Sequence, residues 1–174
     1  MRILLVVLAL MLGGNAMAQN NFDISKDKEN GSTLYRGQLT FNDLHEQLSF
    51  KWLDQGVKEY KPDTASIRFL KQNLPVYHIT VFLGTWCSDS QDLVPKFYKV
   101  LQETDYPMNQ YLMYGVDREK HAKGGEEKMY NVTNVPVFIL YKNNREIGRI
   151  TEAVTKSIEA DLCAVIEKDL HQKH

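Results

Sequence analysis

The residues with chemistry to offer are concentrated at Trp86-Cys87-Ser88-Asp89-Ser90. A run of β-formers from Val76 to Leu83 leads into Gly84, and amphipathic spacing follows at Leu93, Phe97, Val100 and Leu101. This pattern predicts strand, tight turn and helix, with Cys87 at or just inside the helix N-terminus. Unpaired backbone N–H groups and the positive end of the helix dipole stabilise an anion there. A thiolate is such an anion, so the position favours a reactive sulfur.

The elements that must position this sulfur follow in chain order. Residues 19–33 are polar and read as a flexible lead-in. Thr40 or Asn42 can cap a helix whose inward face is Phe41, Leu44, Leu48 and Trp52, with Gly56 ending or bending it. A second helix follows Pro62-Asp63-Thr64, with Ile67, Leu70 and Leu74 inward, and Pro75 stops it. After the strand and the helix of Cys87, which must accommodate Pro95, Tyr111 to Val116 reads as a second buried strand. A charged loop ending in Gly124-Gly125 leads to a short helix over 126–130. Val135-Pro136 heads a strand that turns at Lys142-Asn143-Asn144 into Arg145 to Ile150, a β-hairpin. A final helix from about Thr155 to Leu170 carries Ile158, Leu162, Val165 and Ile166 on one face.

With 174 residues, 43% of them hydrophobic, the chain supports one ordinary core. Its first segment has the pattern of a secretory signal peptide: Arg2, an apolar run from Ile3 to Leu12, and Ala16-Met17-Ala18 as a cleavage site. That apolar run is short for a membrane span and no second one occurs, so stable membrane insertion after signal removal is not expected. Without residues 1–18 the chain holds 20 basic and 22 acidic residues, a balance that gives no footprint for nucleic acid. A periplasmic or secreted location is the expectation, and two cysteines in such an oxidising compartment can form a structural disulfide.

The Trp-Cys-x-x turn at a strand end and the Pro-headed hairpin strand make the chain resemble the thioredoxin superfamily over about Lys61 to Leu170. The family's W-C-x-x-C and its helix-kinking proline map onto Trp86-Cys87-Ser88-Asp89-Ser90 and Pro95, and its cis-proline onto Val135-Pro136. The stretch from Phe82 to Ser90 is similar to a group of exported bacterial thioredoxin-like proteins carrying W-C-x-D-S. The resemblance implies a three-layer α/β/α domain over residues 61–174 with a central mixed sheet of about four strands. A helical N-terminal extension over 34–60, a flexible segment over 19–33 and a signal peptide over 1–18 precede it.

Two departures bear on function. The family's resolving cysteine is Ser90 here, and its buried acid six residues before the first cysteine is Val81. The chemistry left is that of a monothiol. Cys87 attacks a disulfide or a sulfenic acid, and the resulting mixed disulfide is released by an external thiol or by the client's own second cysteine. Ser90, one helical turn on, is expected to donate its O–H to the thiolate; Asp89 opposes, because a nearby carboxylate disfavours a second anion. The resemblance implies that Val135 pairs with an extended client through its backbone, that Pro136 lies across from Cys87, and that Trp86 forms an apolar wall.

Blander readings stand beside these. Cys87 can be a small buried hydrophobe, Pro136 an edge-strand proline, and Cys163, on the shoulder of the last helix's apolar stripe, a structural thiol. A Cys87–Cys163 bridge is open by count, although the resemblance places Cys163 too far along its helix. His45, His78 and His121 share no metal-ligand spacing, and no metal or other cofactor is expected. The expected partners are thiol or disulfide clients and an external thiol reductant. The alternative function is a non-catalytic peptide-binding module that uses the same groove.

Overall fold

The computed structural model describes residues 21–172; the segment read as a signal peptide lies outside them. A six-stranded mixed sheet with strand order β1-β2-β4-β3-β5-β6 forms the frame. β3 (His78–Leu83) and β4 (Tyr111–Gly115) are parallel, joined through α4 (Ser88–Glu103). β5 (Val137–Lys142) lies antiparallel to β3 and turns into β6 (Arg145–Thr151). These four strands are the sheet expected from the sequence, and the class is a thioredoxin-like α/β fold.

The remaining two strands correct the sequence reading. β1 (Phe22–Lys26) and β2 (Thr33–Leu39) pair antiparallel, and β2 adds to the edge of β4 at Gly37 to Leu39. Within the segment read as a flexible lead-in, residues 22–26 are therefore a strand; the extension over 34–60 opens with a strand, and the sheet has six strands rather than about four. The cause lies in the turn. Asp27 accepts from the N–H groups of Glu29 (2.9 Å) and Asn30 (3.0 Å), and Gly31 supplies the left-handed position at φ +71°.

The helix expected from Thr40 is also divided. Thr40 and Asp43 form a capping box at α1 (Phe41–His45), but the chain breaks into a 3₁₀ turn (Leu48–Phe50), where Gln47 caps Ser49 N–H, before α2 (Lys51–Glu59). Gly56 does not end α2. A Cβ there would lie 2.6 Å from Pro95 Cγ, so the glycine lets α2 seat directly on the proline inside α4.

α2, α3 (Thr64–Asn73), α4 and α6 (Ile158–His171) bury one face of the sheet, through Leu53, Leu70, Val94, Phe97 and Leu162 against Val81 and Phe138. On the other face Phe82, Val116, Val135, Val137 and Ile139 form a smaller cluster near α5 (Glu126–Met129), and Trp86 and Cys87 pack against it. Alternation along β3 sends Val81 to one core and Phe82 to the other. Phe97 is fully buried with its ring 4.8 Å from Phe138. Phe97→Ala should lower stability by about 3–5 kcal/mol, measured by denaturant unfolding.

Glu159, at the start of α6, ties the α2–α3 connection to the C-terminal helix. It accepts from Tyr60 O–H (2.6 Å) and Asp63 N–H (3.0 Å). Burial pushes its carboxyl up, but these hydrogen bonds outweigh burial and hold it below its ordinary value. A carboxyl depressed on folding contributes stability above its unfolded value of about 4.3, lost as pH falls through the folded value. The stability difference between the natural chain and Glu159→Gln should therefore shrink between neutral pH and pH ~3 in denaturant midpoints.

Candidate active site

Cys87 is the N-cap of α4, with extended backbone (φ −90°, ψ 125°). Two backbone bonds fix it: its N–H donates to Gly84 O at 2.9 Å and its carbonyl accepts from Gln91 N–H at 3.0 Å. The side chain caps nothing, so the thiol is left to face the groove. Cys87 is partly exposed, and its Sγ lies 3.5 Å from the Val135 carbonyl, to which the thiol donates. The Val135–Pro136 peptide is cis, and both residues are buried beside Cys87 in the smaller cluster's neighbourhood.

Trp86 forms the adjoining wall. Its indole N–H donates to Val116 O at 2.9 Å, and Gly84 makes room for it: a Cβ on Gly84 would fall 2.6 Å from the ring. Gly84→Ala should therefore displace the indole and break its hydrogen bond, at a cost of about 1–3 kcal/mol. A red shift of Trp86 emission, read in a Trp52→Phe background, would register the displacement.

Trp86, Cys87, Val135 and Pro136 thus meet at one end of the sheet. Ser90 is placed differently from the sequence expectation. It is fully buried, and its Oγ accepts from Gly84 N–H at 3.1 Å and makes no hydrogen bond to Cys87. The geometric reason is that the extended N-cap turns the Cys87 side chain toward Val135, while Ser90 in the first turn of α4 points back to the strand end. Asp89 is exposed in that first turn. Val81, in β3, is fully buried and apolar.

The two cysteines are both free. Cys163 donates to Ser66 O at 3.7 Å on the helical side of the sheet, and burial pushes its thiol up to about 11. Such a thiol is almost wholly protonated at neutral pH, which makes it a poor nucleophile. Among the described residues no group of three His, Cys, Asp or Glu side chains is close enough to hold a metal ion. No described helix is long and apolar enough to cross a membrane.

Sequence reasoning missed Thr85 and Arg118. Thr85 is buried and bolts the turn to β2: its hydroxyl donates to Thr33 O (3.1 Å) and accepts from Tyr35 N–H (3.2 Å). Arg118 lies over the Trp86 ring, its guanidinium carbon 4.9 Å from the ring centre. In the sequence it belongs to a mixed-charge loop that reads as solvated. Only the tertiary path of that loop brings it to the indole.

The thioredoxin family model matches residues 69–167, more than half of the chain. The chain belongs to the thioredoxin family. Among solved structures, a Pseudomonas aeruginosa protein of unknown function superimposes with a TM-score of 0.55 at 12% identity, over 72% of this chain and 88% of its own. An HIV epitope-scaffold gives 0.56 at 12% identity, over 75% and 93%. The reduced thioredoxin pre-protein of Schistosoma mansoni is 24% identical over 63% of this chain and 93% of its own, with a TM-score of 0.40. No curated protein matches. The match to the thioredoxin model leaves out β1, β2, α1 and α2, so the hairpin bonded to Thr85 is an addition to the family's matched segment.

Proposed function

We propose that this thioredoxin-family chain performs thiol–disulfide exchange through a single nucleophile, Cys87. The observation that carries the reading is the placement of Cys87: a partly exposed residue at the N-terminus of a sixteen-residue helix, its sulfur against Val135 and beside Trp86. The unpaired backbone N–H groups of the first turn of α4 and the helix dipole favour negative charge there. An extended client would lie along Val135 and Pro136 with Trp86 as its apolar wall, and its disulfide would meet Cys87.

In the exchange, the Cys87 thiolate attacks one client sulfur. The Cys87–client S–S bond forms as the client's own S–S bond breaks, and the electron pair leaves on the second client sulfur as a thiolate. A thiolate from outside the protein then attacks the client sulfur of the mixed disulfide: a new S–S bond joins these two as the Cys87–client S–S bond breaks, and the electron pair returns to Cys87. No second cysteine stands at position 90, so an external thiol or the client's own thiol completes the cycle. Ser90 supports the turn by fixing Gly84, and Asp89 adds a carboxylate that opposes charge on the sulfur. Export directed by residues 1–18 belongs to the same reading; N-terminal sequencing of the mature chain should begin at Gln19.

The test is steady-state reduction of a peptide disulfide by excess monothiol, with and without the protein. Acceleration proportional to protein concentration is expected. Saturable peptide binding without acceleration would leave the groove as a binding module and overturn the exchange.

A further inference from the structure

Arg118 is held from two sides while it covers Trp86. Its Nε donates to Asp27 Oδ2 at 2.7 Å, and its terminal nitrogen pairs with Glu29 at 2.7 Å. Asp27 is itself a built anchor, with a side chain 1% exposed that also accepts the Glu29 and Asn30 N–H groups of the β1–β2 turn. Lys120, held in a left-handed conformation (φ +65°), adds a second cation 5.7 Å from the ring centre. The indole is thus fixed at its edge by Val116 and over its face by cations. Thr85, the residue before Trp86, is bonded independently to β2. The hairpin therefore grips two consecutive residues of the turn that ends in Cys87.

We infer that Arg118 is a positioning residue for Cys87 exchange: clamped by Asp27 and Glu29, it holds Trp86 as a fixed wall for an extended client, making the β1–β2 hairpin part of the site. The inference rests on the exchange reading above and adds an element that lies outside the matched family segment. A loose indole leaves the sulfur accessible but gives a client chain no preformed surface. Reaction with a molecule too small to need the wall is then unaffected.

Two disulfides with the same leaving group separate these effects. One is 2,2′-dithiodipyridine; the other is a blocked uncharged octapeptide whose central cysteine carries an S-(2-thiopyridyl) group. In both, the Cys87 thiolate displaces pyridine-2-thione and keeps the other half as a mixed disulfide, and the released thione is read by absorbance. The background is Cys163→Ala. Arg118→Ala should slow the peptide about fivefold or more relative to the small probe, as expected for losing a cation–π contact that fixes the ring; Arg118 also interacts with Cys87 through its charge, an effect common to both probes that cancels in their ratio. Arg118→Lys keeps the charge opposite Asp27 but loses the planar stack and fork, so it should slow the peptide about threefold. It also decides the matter alone should Arg118→Ala not fold. A peptide-to-probe rate ratio unchanged in both variants, or equal slowing of both probes, overturns the positioning role. A natural Cys87 that reacts with neither probe overturns the exchange reading itself, which is a separate outcome.

Discussion

Cys87→Ala should reduce peptide-disulfide exchange to the uncatalysed background, while Cys163→Ala leaves it within about twofold. The asymmetry follows from where the two sulfurs sit. Cys87 stands at a helix N-terminus with its side chain free of capping duty and its sulfur turned to the groove beside Val135. Cys163 is half-buried on the helical side of the sheet, its thiol pushed up to about 11 by burial and turned toward Ser66 O. Ionised thiol is the attacking species, so the second sulfur contributes little at neutral pH even though neither cysteine is in a disulfide. Removal of Cys87 should not perturb the fold, since its thiol makes one hydrogen bond, at 3.5 Å to Val135, and its backbone bonds to Gly84 and Gln91 survive in alanine. Equal unfolding midpoints with unequal exchange rates, measured on the same preparations, check both statements. Exchange that survives Cys87→Ala would contradict them.

Ser90→Cys should convert slow release of the mixed disulfide into fast release. Position 90 lies in the first turn of α4, three residues beyond the N-cap Cys87, so side-chain rotation that takes the Cys87 sulfur off Val135 and the position-90 sulfur off Gly84 brings the two together. A thiol there competes with external thiol for the mixed disulfide. An effective concentration of even about 0.1 M against roughly 1 mM external thiol makes release about a hundredfold faster. The variant forfeits the bond from Gly84 N–H to the Ser90 hydroxyl, replaced by a weaker acceptor in sulfur, so a modest loss of stability accompanies the gain. Following the Cys87–peptide adduct by mass spectrometry after addition of thiol gives the release rate directly. A half-life equal to that of the natural chain would show that position 90 is turned too far from Cys87 to resolve it.

The thiol turn and the four central strands were legible because their signals are local and redundant. Val76 to Leu83 is β-branched and apolar, Gly84 breaks it, and Leu93, Phe97, Val100 and Leu101 restart at helical spacing. The β1–β2 hairpin carried a signal too: Asn30-Gly31 lies between runs that alternate at Phe22-Asp23-Ile24 and Arg36-Gly37-Gln38-Leu39. Its polar composition hid it, because the strand β1 at the sheet edge leaves Ile24 more than half exposed. Gly56 reads as a helix end or bend, and the end is excluded for another reason. A glycine that stops a helix and one that admits a neighbouring proline look alike until the neighbour is placed. The bond expected between Ser90 and the sulfur failed on direction, since the helical spacing was right but the N-cap backbone turns the thiol away. Arg118 had no sequence signal, because a cation over a ring 32 residues earlier is a property of loop path alone.

On the proposed function, Cys87 is the single nucleophile of the folded chain. The most direct test is to mix native protein with less than one equivalent of the S-(2-thiopyridyl) peptide at neutral pH, quench in acid, and map the adduct by mass spectrometry. The expected result is stoichiometric release of pyridine-2-thione, with the peptide found on Cys87 and none on Cys163. An adduct on Cys163, or a sulfur at position 87 that reacts only after denaturant is added, would contradict the account.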